Sequence, residues 1–143
     1  MTIAQKIANA HGFEHWKNVM EIAFVFGERR HWLWKPKNNE VLLFRESDTI
    51  TYNRKQVDSI VVKTDASFVN YKFWLLIPFQ LVWDKRAAIS EPTTNEASIS
   101  KTQLNKITIT YSNDGGYTLG DAYDIYYDND YCIKEWTYRR GNQ

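Results

Sequence analysis

The stretch Phe68–Trp83, FVNYKFWLLIPFQLVW, decides the fold of this chain because it is apolar over almost all of its sixteen residues. Its polar members are Asn70, Lys72 and Gln80. The stretch is too short, and too interrupted by Pro78, to span a bilayer. A segment that is apolar around its whole circumference is instead typical of a helix buried inside a protein. The rest of the chain is therefore expected to wrap around this helix.

The ends of this central helix can also be predicted. Asp65 is a residue type that favours the N-cap position, so we predict that the helix starts there. The residue before a proline is disfavoured in helical geometry, which ends the helix near Leu76. We expect Phe79–Ile89 to leave the helix as extended chain. We predict that the polar segment Ser90–Lys101, which follows, is a loop.

The flanking regions alternate between apolar and polar residues, which is typical of strands with one buried face. We predict strands at 19–26, 28–34, 40–45, 49–53, 59–63, 104–111, 122–127 and 131–139. A helix over Ile3–His11, closed by Gly12, and one more turn at Phe13–Lys17 precede them. The Asn113–Gly116 segment is a strong turn signal. The fold class is α+β, mostly antiparallel β, as one domain over residues 1–143.

Composition excludes some classes of protein. Eighteen basic and seventeen acidic side chains give a net charge of +1, too little to concentrate nucleic acid. Cys132 is the only cysteine and forms no internal disulfide; its strand context predicts a small buried hydrophobe. We expect no export signal at the N-terminus, because Lys6 interrupts its apolar residues.

Catalytic and metal-binding patterns are weak. No nucleophile, base and orienting group can be assembled, so we expect no enzyme and no cofactor. His11 and His15 have the spacing of a zinc pair, but Gly12 lies between them and no further ligands are evident, so we expect capping or surface roles and no metal. His31 is expected to be a packed, hydrogen-bonded strand residue.

Two groups of acidic residues near the C-terminus lead to specific predictions. The Asp128–Asp130 segment misses the spacing of a calcium loop and fits a hairpin turn. Asp121 and Asp124 follow a glycine-rich loop and are expected to hydrogen-bond that loop into shape.

A basic cluster next to the aromatic residues Trp32 and Trp34 has two interpretations. Its members are Arg29, Arg30, Lys35 and Lys37. The cluster can form a rim for an anionic head group, for which Arg29, Arg30 and Lys35 are the candidates. Alternatively, it is a solvated strand end whose aliphatic stems cover the rings.

Several short pieces together carry a family resemblance. They are Arg30-His31-Trp32 with Trp34, Trp74-Leu75-Leu76 before Pro78-Phe79, Trp83-Asp84, Gly115-Gly116-Tyr117-Thr118 with Gly120-Asp121 and Tyr123-Asp124, and Lys134-Glu135-Trp136. These pieces resemble a group of uncharacterised envelope proteins of Bacteroidetes-type bacteria. That group is similar in fold to the outer-membrane lipoprotein-sorting carriers (LolA/LolB-like).

The resemblance implies a half-barrel: a curved, unclosed antiparallel sheet with the N-terminal helix and the buried central helix on its concave side. It also implies a periplasmic or cell-envelope location and an apolar cavity for acyl chains. No functional residue of the sorting carriers transfers individually, because no motif matches them. Further strands are expected after Arg140–Gln143, so the chain resembles a shortened version of the group. An exposed sheet edge would then favour a homodimer.

Two functions remain open. The first is binding or carrying a lipid or acyl chain in a cavity between the sheet and the helices. The residues expected to line this cavity are Ile22, Phe24, Trp32, Trp34, Phe73, Trp74, Leu76, Phe79 and Trp83. The alternative is a non-catalytic interaction or scaffold module with a solid core, acting through an exposed sheet edge or the Ser90–Lys101 loop.

Overall fold

The computed structural model describes residues 1–85, 87–111 and 120–142. The chain divides into two compact units, residues 15–72 and residues 1–14 with 73–143. We call them the meander unit and the terminal unit. The expectation of a single domain over residues 1–143 stays a prediction, and the predicted turn at Asn113–Gly116 lies outside the described residues.

The fold class is α+β with mostly antiparallel strands, as predicted. The helices are α1 (Ile3–Ala10), α2 (Val62–Leu75) and α3 (Ile77–Trp83), with 3₁₀ turns at Phe13–Asn18, Pro36–Asn38 and Arg140–Asn142. The strands form two sheets, and in the described part of the chain neither sheet closes into a barrel. Within these residues no helix has the length and hydropathy that crossing a membrane requires.

The sheet of the meander unit has four antiparallel strands in chain order. They are β1 (Ile22–Phe26), β2 (Arg30–Lys35), β3 (Glu40–Phe44) and β4 (Thr49–Asn53). The predicted strands match these within three residues. Gly27 has a φ of +70°, so the turn between β1 and β2 needs a residue that accepts left-handed geometry. In the resulting register Trp32 lies opposite both Phe24 and Leu43.

One face of this sheet packs against α2. Phe68 is fully buried, and its ring centroid lies 5.7 Å from that of Trp32 and 5.4 Å from that of Trp34. Tyr71, one helical turn later, stacks on Phe26 at 4.0 Å. The spacing of three residues between Phe68 and Tyr71 places both on one side of the helix. The prediction that the central helix is buried therefore holds for this part of α2.

The predicted start of the central helix is wrong. The helix begins at Val62, and the strand expected over Ser59–Lys63 does not form. The carboxylate of Asp58 accepts hydrogen bonds from the backbone N–H groups of Ile60 and Val61, which makes a local turn there. Asp65 lies inside the helix, where its charge is buried and paired. The predicted end near Leu76 is confirmed.

The prediction for Phe79–Ile89 is also wrong. The helical region starts again with α3 at Ile77, and of the described residues in this range only Ala88–Ile89 is a strand, β5. Pro78 is tolerated because the first turn of a helix needs no backbone N–H donor from it. The proline therefore separates two helices and does not end the helical region.

The sheet of the terminal unit is built around its longest strand. Its strands are β5 (Ala88–Ile89), β6 (Thr93–Glu96), β7 (Gln103–Thr110), β8 (Ala122–Tyr127) and β9 (Ile133–Arg139). The order is β5-β7-β8-β9, and β6 also pairs with β7. The predicted loop over Ser90–Lys101 is thus corrected, because Thr93–Glu96 bonds to β7 as a strand.

The core of the terminal unit lies between this sheet, α1 and α3. Its buried members include Ile7, Phe73, Ile77, Leu81, Ile107, Ile109, Tyr123 and Ile125. Thr2 and Gln5 form a capping box that starts α1. Gly12 has a φ of +87°, which confirms the predicted helix end. The turn expected after it forms as the 3₁₀ segment Phe13–Asn18.

The opposite face of this sheet is polar but covered. All six residues of β8 are buried. Ser98 hydrogen-bonds the Tyr126 hydroxyl at 3.0 Å, and the Glu135 carboxylate accepts the backbone N–H groups of Ile99 and Ser100. These bonds hold the connection between β6 and β7 against the sheet.

Candidate functional site

A groove of about 820 Å³ lies in the terminal unit, between the start of α1, the chain around β5 and the hairpin after β8. Its apolar lining is Ile3, Ala4, Ala87, Ile89 and Pro92, with the rings of Tyr127 and Tyr131. Its polar lining is Thr2, Lys6, Ser90, Glu91, Asn105 and Asn129. Small-molecule sites span roughly 300–1,000 Å³, so the groove has the volume of such a site. Six of its thirteen described lining residues are polar, a larger share than is usual for such sites.

Tyr131 is held in the groove by a strained turn. Its φ of +67° is an outlier for a bulky aromatic residue, and such outliers concentrate at functional sites. The Asp128 carboxylate fixes the turn by accepting the N–H groups of Asp130 and Cys132. The ring of Tyr131 stacks with Tyr127 at 6.1 Å, and the Lys6 ammonium lies 5.6 Å from its centroid. The predicted hairpin turn at Asp128–Asp130 is confirmed.

The polar end of the groove is defined by two asparagines. The side-chain amide of Asn105 donates to the side-chain oxygen of Asn129 at 3.1 Å. Both residues, with Tyr127, also line an adjacent cavity of about 270 Å³. Burial, and then the nearby Tyr131, raise the pKa of Tyr127. Its phenol therefore stays protonated and can donate a hydrogen bond to a ligand.

The nine residues predicted to line a cavity are divided between the two units. Four of them, Ile22, Phe24, Trp32 and Trp34, lie on the packed face of the meander sheet. Trp32 and Trp34 are buried there against Phe68. In this unit the predicted lining residues thus serve as core.

The other five, Phe73, Trp74, Leu76, Phe79 and Trp83, belong to the terminal unit. Phe73 is buried against Tyr123 with ring centroids 4.4 Å apart. Phe79 and Trp83 contact each other and Phe13 at 5.2–6.1 Å. Trp74 and Leu76 are half-buried.

The groove of the terminal unit was not predicted from the sequence. One signal for it was available, since Tyr127 and Tyr131 flank the turn at Asp128.

The predicted rim residues do not gather at one place. Arg29 pairs loosely with Glu46 at 3.8 Å, with both side chains exposed. Arg30 donates to the Tyr71 hydroxyl at 2.9 Å. Lys35 lies at the other end of β2, and five strand steps separate it from Arg30 by about 17 Å. A single rim of Arg29, Arg30 and Lys35 therefore does not form.

Asp124 forms cross-strand bonds within the terminal sheet. It accepts bonds from both Nε and Nη2 of Arg139 at 2.9 Å and from Thr108 at 2.8 Å. Burial alone raises the pKa of this carboxyl, but the bonds from Arg139 and Thr108 outweigh it and hold the pKa below its usual range. The carboxylate thus ties β8 to β7 and β9.

Asp121 bonds to the end of β9 and to the segment that follows it. It accepts the Tyr138 hydroxyl and the Gly141 N–H, each at 3.0 Å. The loop-ordering role expected of Asp121 and Asp124 involves residues 112–119, which lie outside the described residues, so that role stays a prediction.

The structure assigns His11 a capping role and places His31 and Cys132 at positions that differ from their predictions. His11 caps α1: its Nδ1 lies 2.8 Å from the Ile7 carbonyl, and its Nε2 accepts the Ile133 N–H at 3.2 Å. Both ring nitrogens are therefore occupied by hydrogen bonds.

His31 is exposed, so the packed role predicted for it is wrong. Cys132 is half-exposed and precedes β9, which corrects the buried strand position. No group of three potential ligands for a metal occurs in the described ranges.

Comparison with known proteins gives the chain no established relatives. Matched against protein-family models, curated proteins and solved structures, the chain has no counterpart in any of the three. The resemblance to the lipoprotein-sorting carriers consequently stays a prediction, and a functional proposal must be supported by the geometry of the chain itself.

Proposed function

We propose that the protein binds an amphipathic ligand with an acyl chain in the groove of the terminal unit. The observation that carries this proposal is the groove of about 820 Å³, with apolar walls from α1 and β5 and two tyrosine rings at the hairpin. No reaction is assigned to the site, which acts by binding alone.

The lining favours a chain with a polar end. Burying each methylene of an acyl chain against Ile3, Ala87 and Ile89 would contribute about 0.8 kcal/mol. Lys6 beside Tyr131, and the Asn105–Asn129 pair, offer donors to a head group. Among the described lining residues Lys6 is the one cation and Glu91 the one acid, so these two charges balance and the head group need not be anionic.

The carrier interpretation includes the half-barrel architecture and the envelope location. The half-barrel calls for one curved sheet, whereas the described strands form two sheets, each of which packs one face on helical residues within its own unit. Cell fractionation of the native host tests the location. Recovery of the protein only from the cytoplasm would contradict it.

The proposed ligand site can be tested with two neighbouring alanines. Ala87 lines the groove, whereas Ala88 is exposed and lies outside its lining. Ala87→Trp fills part of the groove and should abolish dodecanoate binding measured by titration calorimetry. Ala88→Trp adds the same ring and should leave binding unchanged. Thermal melts confirm that both variants fold.

Native mass spectrometry of the purified protein provides a second readout. We expect a lipid to co-purify with the wild type and to be lost from Ala87→Trp. If wild-type protein binds neither dodecanoate nor a co-purified lipid, or if both tryptophan variants bind equally, the acyl-ligand proposal is wrong.

A second candidate function is an interaction module that forms a homodimer through β1. This strand is at the edge of the meander sheet, and its sequence IAFVF carries no charge. Val25 is 55% exposed, and Phe26 and Phe44 are each 41% exposed. Natural edge strands are usually protected by charges or prolines, which β1 lacks. Antiparallel pairing of β1 with a second copy about Phe24 would set Ala23 opposite Val25 of that copy.

Light scattering across a concentration series tests the dimer. The wild type should dimerise, Val25→Lys should be monomeric, and Thr51→Lys on the opposite edge strand should behave like the wild type. A wild-type monomer at all concentrations would rule out this module.

A further inference from the structure

A small basic cavity in the meander unit suggests a second ligand. Its volume is about 160 Å³, enough for about five water molecules and too small for an acyl chain. Its described lining residues are Arg30, Trp32, Leu43, Arg45, Lys63, Thr64 and Ser67, none of them acidic. We propose that this cavity binds a single oxyanion of the phosphate type, either free or as the phosphate of a lipid head group.

The two arginines of the cavity are brought together by strand pairing. His31 of β2 lies opposite Phe44 of β3, so one further step along the same register sets Arg30 opposite Arg45. Side chains at such positions are about 5 Å apart at their Cβ atoms, and like charges there destabilise a sheet. Asp48 pairs with Arg45 and compensates part of this charge. An anion between the arginines would compensate the remainder.

Helix α2 supplies the other side of the cavity. Lys63 and Thr64 lie in its first turn, where the helix dipole favours an anion, and Ser67 follows one turn later. Two hydroxyls and an ammonium there can donate to phosphate oxygens. The acidic residue of the same turn, Asp65, bonds instead to Tyr52 and Arg54. It is not part of the cavity lining.

Trp32 is a lining residue whose buried side chain carries an unpaired donor. It is only 1% exposed, and its indole N–H has no hydrogen-bond partner among the residues that the structure describes. A buried donor without a partner is costly. The N–H is not itself accessible from the cavity, so an oxyanion would accept this bond only after a local rearrangement of the side chains around Trp32.

The test uses a matched pair of lysine variants. Lys63→Gln removes a cavity charge, and Lys55→Gln removes an exposed lysine of the same unit that does not line the cavity. Calorimetric titration with inorganic phosphate at constant ionic strength should show saturable binding. Lys63→Gln should weaken this binding about tenfold, the effect of losing one charged hydrogen bond, while Lys55→Gln should not change it.

The source of the phosphate is distinguished with vesicles. Phosphatidylcholine vesicles with and without phosphatidylglycerol are compared for cosedimentation of the protein. Binding to phosphatidylglycerol that requires Lys63, without saturable binding of inorganic phosphate, identifies a lipid head group. The reverse pattern identifies a free phosphate. If neither probe binds, or if both lysine variants lose binding equally, the anion site does not exist. These outcomes do not depend on dodecanoate binding in the groove.

Discussion

Removal of the Asp65 carboxylate is the sharpest test of how the meander unit is held together. This carboxylate accepts the Tyr52 hydroxyl and the Nε of Arg54, both at 2.8 Å. Its side chain is 3% exposed, whereas that of Arg54 is 27% exposed. Breaking a buried pair by removing one partner costs about 3–5 kcal/mol. Because Arg54 can regain some water, we expect Asp65→Ala to cost about 2–4 kcal/mol.

The assay is urea denaturation followed by tryptophan fluorescence and far-UV circular dichroism. Asp48→Ala is the control, since it removes the carboxylate of another aspartate–arginine pair, that with Arg45, whose two side chains are about half exposed. We expect this control to change stability much less, because exposed ion pairs contribute little.

A double-mutant cycle separates the pair from other effects at this position. Arg54→Met removes the charge of the partner and keeps much of its aliphatic stem over the ring of Phe68. The cycle of Asp65→Ala and Arg54→Met should give a coupling energy of about 1–3 kcal/mol. A loss below about 1 kcal/mol for Asp65→Ala, or a cycle without coupling, would refute the buried ion pair as a stabilising contact.

Three further outcomes are expected. Phe68→Ala should cost about 3–5 kcal/mol in urea titrations, while Leu75→Ala at an exposed position of the same helix should cost less than about 1 kcal/mol; equal losses would contradict the helix orientation. The folded-state pKa of Asp124 is lowered, so its stabilisation is present above the unfolded pKa of about 4 and disappears as the pH falls through the folded value. In Asp124→Asn the free energy of unfolding should therefore fall less steeply as the pH is lowered. An unchanged dependence on pH would contradict the stabilising role of the Asp124 carboxylate. His11→Ala removes two hydrogen bonds and should cost about 1–2 kcal/mol, and a loss of only a few tenths would argue against its capping role.

The strands of the meander unit were predictable because their periodicity is local. Alternation of apolar and polar residues defined β2, β3 and β4 to within two residues at either end. The pairing of Arg30 with Arg45 also follows from the turn at Pro36–Asn38, which joins these strands. The cavity between the two arginines could not be inferred, because a strand was expected at Ser59–Lys63, where Lys63 instead lies in the first turn of α2.

The groove of the terminal unit could not be predicted from the sequence, for a different reason. Its walls come from α1, β5 and the hairpin after β8, which are distant in sequence. The pairing of β5 and β8 with β7 brings β5 and the hairpin onto one sheet, and α1 packs on the core of the same unit. The tyrosines that flank the turn at Asp128 are a local signal for one wall, but no local pattern encodes the juxtaposition of all three.

The apolar stretch Phe68–Trp83 illustrates the division between sequence and tertiary structure. Its composition alone determined that the segment is helical in large part, is too short and interrupted to span a bilayer, and supplies core residues. Tertiary contacts decided where the helix starts: Arg54 and Tyr52 stabilise the Asp65 carboxylate inside α2 instead of at its N-cap. The fold also decided that Pro78 opens α3 and does not lead into an extended strand. A sequence pattern reports how each segment buries its own apolar surface, whereas the partner of a buried charge and the walls of a groove come from distant parts of the chain.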